Sequence, residues 1–310
     1  MNTLREVLDA AERAHVAVGH FNCSDLVTLK AVATSAHELR VPVMVGVSEG
    51  ERAFLGVRQA AAAVRSFREE LGLPIFLNAD HTHSLKNAED AAPAGFDEII
   101  FDRSELPIEK NANETRRAVE AIKSINPSIL VEGEIGYIGT SSEVLDKIHE
   151  GMSALTTPEE ATQFVTAAGV DVLAPAVGNM HGLLHSMIQG QAKKRLDIAR
   201  IAQLKEATGI FMTLHGGSGT NDEDVQRAIR AGITIIHINT ELRVAIPWLE
   251  KAKLAKRYEP RQFPFMNLGR IYLKQGRWWE ALREFEDAVR AAPDDVEARK
   301  ALHAGRARLN

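Results

Sequence analysis

The stretch IFMTLHGGSGTNDEDVQRAIRAGITIIHINT, residues 210–240, decides how the chain is read. IFMTL and ITIIHI are short, β-branched apolar runs of strand type. DEDVQRAIRA, between them, is amphipathic at helical spacing. A strand, a helix and a second strand make a parallel unit. The same alternation extends back to the start of the chain. Strand-like runs fall at residues 15–22, 41–47, 75–79, 98–101, 129–134 and 171–177, and then at 210–214 and 233–238. Amphipathic stretches fall at residues 25–38, 57–71, 111–124, 158–168, 197–208 and 222–231. Eight units in roughly 250 residues predict an α/β fold of the closed (β/α)8 barrel type rather than an open doubly wound sheet. A Gly-rich turn after the first strand would favour the open sheet, and none is present.

After residue 256 the composition changes. RYEPRQFP, residues 257–264, carries two prolines and reads as a linker. Beyond it, Phe265, Leu268, Gly269, Tyr272, Ala281, Phe285 and Pro293 follow the spacing of one tetratricopeptide repeat. The expected organisation is a barrel over residues 1–256 and a small all-α helical hairpin of tetratricopeptide type over 262–310. Its helices are expected at 266–275 and 278–292, with a third at 296–309. An ordinary helical hairpin is the alternative. The adjacent Trp278 and Trp279 cannot face one groove. A lone repeat buries too little apolar surface to stand alone, so it is expected to dock on its own barrel, a partner subunit or another protein.

Of the 310 residues, 45% are hydrophobic and 25% charged, as in ordinary globular proteins. No apolar run approaches the ~18 residues of a membrane span, and the N-terminus lacks the pattern of a secretory signal. The single cysteine, Cys23, excludes an internal disulfide. These features lead to an expectation of a cytoplasmic protein with no membrane association. A net charge of −5 argues against nucleic-acid binding, though not against a small anionic substrate.

Polar groups gather at the carboxyl ends of the predicted strands: Asn78-Ala79-Asp80-His81, Asp102, Glu132-Gly133-Glu134, Asn179-Met180-His181, His215 and His237. In a barrel those ends meet on one face, where catalysis is built. His81, His181 and His215 come from three strands. A three-histidine set with an open fourth position is a catalytic zinc arrangement, although a lone strand-end histidine is more often a hydrogen-bonded core residue. Asp80 can act as a general acid or base, or only cap a helix or orient a neighbouring histidine. Adjacent strand residues point to opposite faces, so Asp80 and His81 share the pocket only if the strand has just ended. HGGSG, residues 215–219, can turn backbone N–H groups towards a phosphate. With Asn239-Thr240 it occupies the barrel's usual phosphate position.

AVGHFN (17–22), PVMVGVSEG (42–50), NADHTHS (78–84), VEGEIGYIG (131–139), AVGNMHG (176–182), TLHGGSG (213–219) and INTELR (238–243) together resemble the class II fructose-bisphosphate and tagatose-bisphosphate aldolases. The resemblance runs from about residue 4 to 250. It implies a Zn2+-dependent lyase with His81, His181 and His215 on the metal and Glu134 near it. Asp80 would exchange the proton of the C4 hydroxyl as the C3–C4 bond of a ketose phosphate breaks. Phosphate would lie against Gly182, Gly216, Gly217, Ser218, Asn239 and Thr240, with Na+ or K+ assisting there. Asn22 and Ser48 would line the pocket. The resemblance also implies a homo-oligomer, a dimer or tetramer. Three positions depart from the pattern. Glu143 is the nearest carboxylate where a loop Glu is usual, His185 replaces a usual Lys, and His237 replaces a usual Asn. Two other readings stand beside this one: a different zinc lyase or epimerase on the same barrel, and a disabled barrel acting as a scaffold through its repeat. Cys23, His20, His83 and His149 are read as structural.

Overall fold

The computed structural model describes residues 2–136, 138–139, 144–145, 154–188, 191–243, 269–270, 272–273, 276–291, 293 and 296–307. The chain divides into two compact units, Met1–Thr240 and Glu241–Asn310.

In the first unit, β1 (Val18–Asn22), β2 (Val43–Ser48), β3 (Ile75–Thr82), β4 (Glu98–Phe101), β5 (Leu130–Ile135), β7 (Val172–Pro175), β9 (Phe211–Leu214) and β10 (Ile233–Ile238) close into one parallel barrel. Its order is β1-β10-β9-β7-β5-β4-β3-β2. All eight expected strands are present. The short strands β6 (Val144–Leu145) and β8 (Leu183–Leu184) pair separately. Helices α2 (Leu26–Leu39), α4 (Val57–Leu71), α6 (Ile108–Ile125), α7 (Pro158–Ala168), α9 (Ile198–Thr208) and α10 (Asp222–Ala231) are the six expected from periodicity. The short helices α3 (Glu49–Leu55), α5 (Leu85–Ala91) and α8 (His185–Ile188) are additional. They are too short to establish a period, and side-chain caps start the first two: Ser48 for α3 and Ser84 for α5.

The pleat sorts side chains inward and outward. Val43, Val45 and Val47 of β2 pack outward with Leu29, Ala33 and Ala36 of α2. Met44 faces inward, into a layer holding one apolar residue from each of seven strands, Val18 and Phe76 among them. Helix α1 (Leu4–Ala14) closes this amino-terminal end with Leu4, Val7, Leu8 and Ala11. A reciprocal Thr3–Glu6 capping box starts it. Burying Leu8 completely contributes about 1.5–3 kcal/mol. Further along β1, β3, β5 and β9 the inner face turns polar, with His20, Asn78, Glu132 and Thr213 all buried. The amino end therefore supplies the core, and the carboxyl end is free to carry a site.

In the second unit, α11 (Trp278–Ala291) and α12 (Val296–Ala307) share a small core of Ala281, Phe285, Ala288 and Ala298, with Tyr272 and Leu273 against it. Phe285 is packed so closely on Gly269 that a Cβ there would lie 2.3 Å from its ring. Trp279 is 71% exposed while Trp278 is half-buried, so the two tryptophans do face different surroundings. Phe263, Phe265 and Leu268 lie outside the described residues.

Candidate active site and metal centre

Asp80 and His81 both reach the pocket, but β3 does not end there. It continues to Thr82. His81 adopts φ 41°, a left-handed backbone rare for a non-glycine residue. The register with β4 shifts between Ala79 and Thr82. A bulge therefore turns both side chains to one side, where an ending strand was expected. Arg52, buried in α3, supports this turn by donating to the Asp80 carbonyl at 3.0 Å and to Thr82 Oγ1 at 2.8 Å.

The three histidine rings converge, with His81 4.9 Å from both His181 and His215 between centroids. One ligand atom from each, with one carboxylate oxygen of Glu134, lies within 4.8 Å of all the others. Two of the orientations have a local cause. His81 Nδ1 meets Asp102 Oδ2 at 2.8 Å, which leaves Nε2 for a ligand. His215 Nε2 meets Glu132 Oε1 at 2.6 Å, which turns Nδ1 inward. Thr213 Oγ1 donates to the other Glu132 oxygen at 2.6 Å. Glu134 Oε2 and His215 Nδ1 lie 3.1 Å apart and face each other across the centre, and His181 Nε2 is buried without a hydrogen bond. A buried imidazole nitrogen with no partner, aimed at the same point as a carboxylate oxygen and a second imidazole nitrogen, is costly in a dry interior unless something binds between them. Carboxylates fixing the outer nitrogens of inward-facing imidazoles is how metal ligands are oriented. The donor set therefore fits a metal ion.

Charge is arranged to match. Burial disfavours the charged form of His81, yet Asp80, Asp102 and Glu134 outweigh it and hold its pKa up at about 9. Burial opposes ionisation of Asp80, but His81, His20, His215 and the Asn22 hydrogen bond keep it well below the usual carboxylate range. Burial, with His81 and His215, pushes His181 well down, so it stays neutral and able to ligate. Burial, followed by Asp102, pushes Glu134 up. Asn22 Nδ2 donates to Asp80 Oδ2 at 2.7 Å. Asp80 Oδ1 is buried without a hydrogen bond, 3.8 Å from His81 Nε2.

The family model described as "Fructose-bisphosphate aldolase class-II" matches residues 2–285. The chain belongs to the class II fructose-bisphosphate aldolase family. As a class II aldolase, it is a carbon–carbon lyase. A fructose-bisphosphate aldolase of Geobacillus stearothermophilus is 34% identical over 266 residues, 84% of this chain and 89% of the relative. A probable fructose-bisphosphate aldolase of Bacillus subtilis (strain 168) is 31% identical over 267 residues, 84% of this chain and 90% of the relative. The crystal structure of the YdjI aldolase from Escherichia coli K12 superposes with TM-score 0.69 at 26% identity, covering 93% of this chain and 98% of that one.

Around the aldolase centre the other sequence-predicted residues fall as follows. Ser48 ends β2 opposite Asp80, and its hydroxyl caps α3. Gly182 and Gly216 are left-handed, with φ 76° and 58°. The Gly217 N–H is spent on the His237 carbonyl at 3.0 Å. Ser218 and Thr240 are buried, and Ser218 Oγ accepts the Asn239 N–H at 3.3 Å. His185 opens α8 and is exposed. Glu143 lies outside the described residues, as does His149. His237 lies between two other rings, 3.4 Å from His20 and 4.3 Å from His215 between centroids. His20 is completely buried, and Gly46 makes room for it: a Cβ there would fall 2.1 Å from the ring. Asp102, Glu132 and Arg52 make contacts around this centre that sequence reasoning did not assign. Asp102 and Glu132 were visible as strand-end carboxylates, whereas nothing near Arg52 signals its partners.

Proposed function

We propose that the protein binds Zn2+ through His81, His181, His215 and Glu134 and cleaves fructose 1,6-bisphosphate between C3 and C4. The products are dihydroxyacetone phosphate and an aldehyde. The observation that carries this reading is Asp80 Oδ1, unpartnered beside inward-facing histidines whose outer nitrogens are fixed by carboxylates. The names of the relatives support the substrate.

The chemistry supplied by a bound zinc is Lewis-acid polarisation of the substrate carbonyl. Asp80, ionised at neutral pH, takes the C4 hydroxyl proton through Oδ1 as the C3–C4 bond breaks. Asn22 holds Oδ2 and so fixes which oxygen acts. In synthesis Asp80 returns that proton to the aldehyde oxygen. Gly182, Gly216, Ser218, Asn239 and Thr240 form the phosphate end. A second reading, cleavage of tagatose bisphosphate or a related ketose phosphate, is favoured by His237. Its Nε2 is buried without a hydrogen bond where the resemblance expects an Asn.

The test is cleavage of both bisphosphates by zinc-loaded protein, with and without chelator, beside Asp80→Asn. Chelator-sensitive cleavage of the fructose ester, reduced about 10²–10⁴-fold in a variant that keeps its zinc, is expected. Turnover of the tagatose ester alone would move the assignment to the second reading. We further propose a homo-oligomer, a dimer or tetramer, and a division into a barrel over residues 1–256 and a tetratricopeptide-like segment over 262–310. The Phe285–Gly269 packing supports the repeat.

A further inference from the structure

Lys194 lies outside the catalytic set and is 4% exposed. Its Nζ donates to the carbonyls of Met180, Gly182 and Gly216 at 2.6, 2.8 and 2.9 Å. These three acceptors, counted among the described residues, suit the three N–H bonds of an ammonium group, where a neutral amine has only two to give. Two of the carbonyls flank His181 and the third follows His215, so one cation ties together the loops that carry two ligand histidines. The main chain of Lys194 is pinned as well. Its N–H donates to Gly219 at 2.9 Å, and its carbonyl accepts from Asn221 at 3.0 Å. A residue held at both ends around the Gly-rich turn has little freedom to withdraw its side chain.

The loops themselves are built for this approach. Gly216 has φ 58°, and a Cβ there would lie 2.2 Å from the Met180 carbonyl. No side chain can be added without separating the carbonyls that Nζ gathers. A ring of inward-facing carbonyls is the environment of a desolvated alkali cation. In this protein the position is filled by a covalently attached ammonium. The Na+ or K+ implied by the family resemblance therefore does not fit at these carbonyls.

We propose that Lys194 is the resident cation of the phosphate-binding end, a positioning residue that replaces a soluble Na+ or K+ and makes the enzyme independent of alkali metal. The proposal rests on the assignment of the Gly182–Gly216–Ser218 end to phosphate. Lys194 Nζ is turned to the loop carbonyls rather than to the phosphate. It orders the loops and adds a permanent positive charge behind them, where a free cation would have to bind at an entropic cost and would leave when the salt is removed.

The test uses the zinc-loaded full chain in choline chloride, then in sodium, potassium or ammonium chloride at equal ionic strength. Cleavage of fructose 1,6-bisphosphate and the thermal midpoint are both followed. The wild type is expected to show no saturable response to any of these cations. Lys194→Ala, which empties the ring, is expected to lose about a hundredfold in kcat/KM in choline, the scale for removing one preorganised charge-stabilising group. Potassium or ammonium should restore most of it along a saturable curve. Lys194→Met refills the space without charge, so it should lose as much and stay unrescued. Saturable potassium stimulation of the wild type overturns the proposal, as does a folded Lys194→Ala that is fully active in choline or rescued by no cation. If Lys194→Ala does not fold, the wild-type titration decides alone. If the wild type cleaves no fructose 1,6-bisphosphate, the substrate assignment fails. The midpoints then still decide: a rise in Lys194→Ala with potassium or ammonium and not with choline supports the cage, and no rise overturns it.

Discussion

Replacing Glu132 by Gln removes one charge and little volume from a completely buried pair. Glu132 Oε1 stands 2.6 Å from His215 Nε2, with neither side chain exposed. The carboxylate fixes the tautomer that leaves Nδ1 facing the centre. In the variant, the amide must also satisfy Thr213 Oγ1, which now donates to Oε2 at 2.6 Å. If the amide oxygen stays on His215, the hydroxyl must reverse its role; if it stays on Thr213, two donors oppose each other at His215. A hydrogen bond to a charged group is worth about 1.5–3 kcal/mol. At about 1.4 kcal/mol per tenfold, that is roughly a 10- to 100-fold weaker metal dissociation constant, in the range known for such outer partners. The pair His81–Asp102 offers a control for the mechanism. Its 2.8 Å contact is similar, but His81 is 19% exposed, so water can replace part of what is lost. Asp102→Asn should therefore weaken zinc less than Glu132→Gln. Zinc affinity is read by competition with a chromophoric chelator, and folding by circular dichroism. Wild-type zinc affinity in a folded Glu132→Gln, or the reverse order of the two variants, would refute the orienting role.

Chelator should lower the thermal midpoint reversibly, because bound metal stabilises only the folded chain; an unchanged midpoint in a zinc-stripped sample would show that nothing bound there supports the fold. Gly216→Ala combines φ 58° with a 2.2 Å approach to the Met180 carbonyl and should cost about 2 kcal/mol or more in urea unfolding. A loss below about 0.5 kcal/mol, ordinary for a neutral surface change, would contradict the close loop approach. Gly46→Ala places a Cβ 2.1 Å from the His20 ring and should destabilise by about 1–3 kcal/mol through overpacking. Adding His20→Ala should recover part of that loss, and additive effects in the double-mutant cycle would show that the two sites do not compete for one space.

Periodicity was sufficient to find the eight barrel strands and six of the helices around them, because each depends on neighbours within a few positions. The residues at strand ends were equally legible. Once the barrel is assumed, Asp80, His81, His181 and His215 must share a face. The bulge at His81 was not, because it is defined by the register of β3 against β4. Nor was the Lys194 cage, whose ammonium reaches the Gly216 carbonyl 22 residues away. The stacking of His20 on His237 joins the first and last barrel strands, which become neighbours only when the barrel closes.

The sequence by itself determined the order of strands and helices and which chemical groups stand at the carboxyl end of each strand. The tertiary structure alone decided which nitrogen of each imidazole faces the centre. That choice is made for His215 by Glu132, 83 residues earlier, and for His81 by Asp102, 21 residues later. A histidine carries two nearly equivalent nitrogens, and no local pattern distinguishes them until a neighbouring strand brings up a carboxylate.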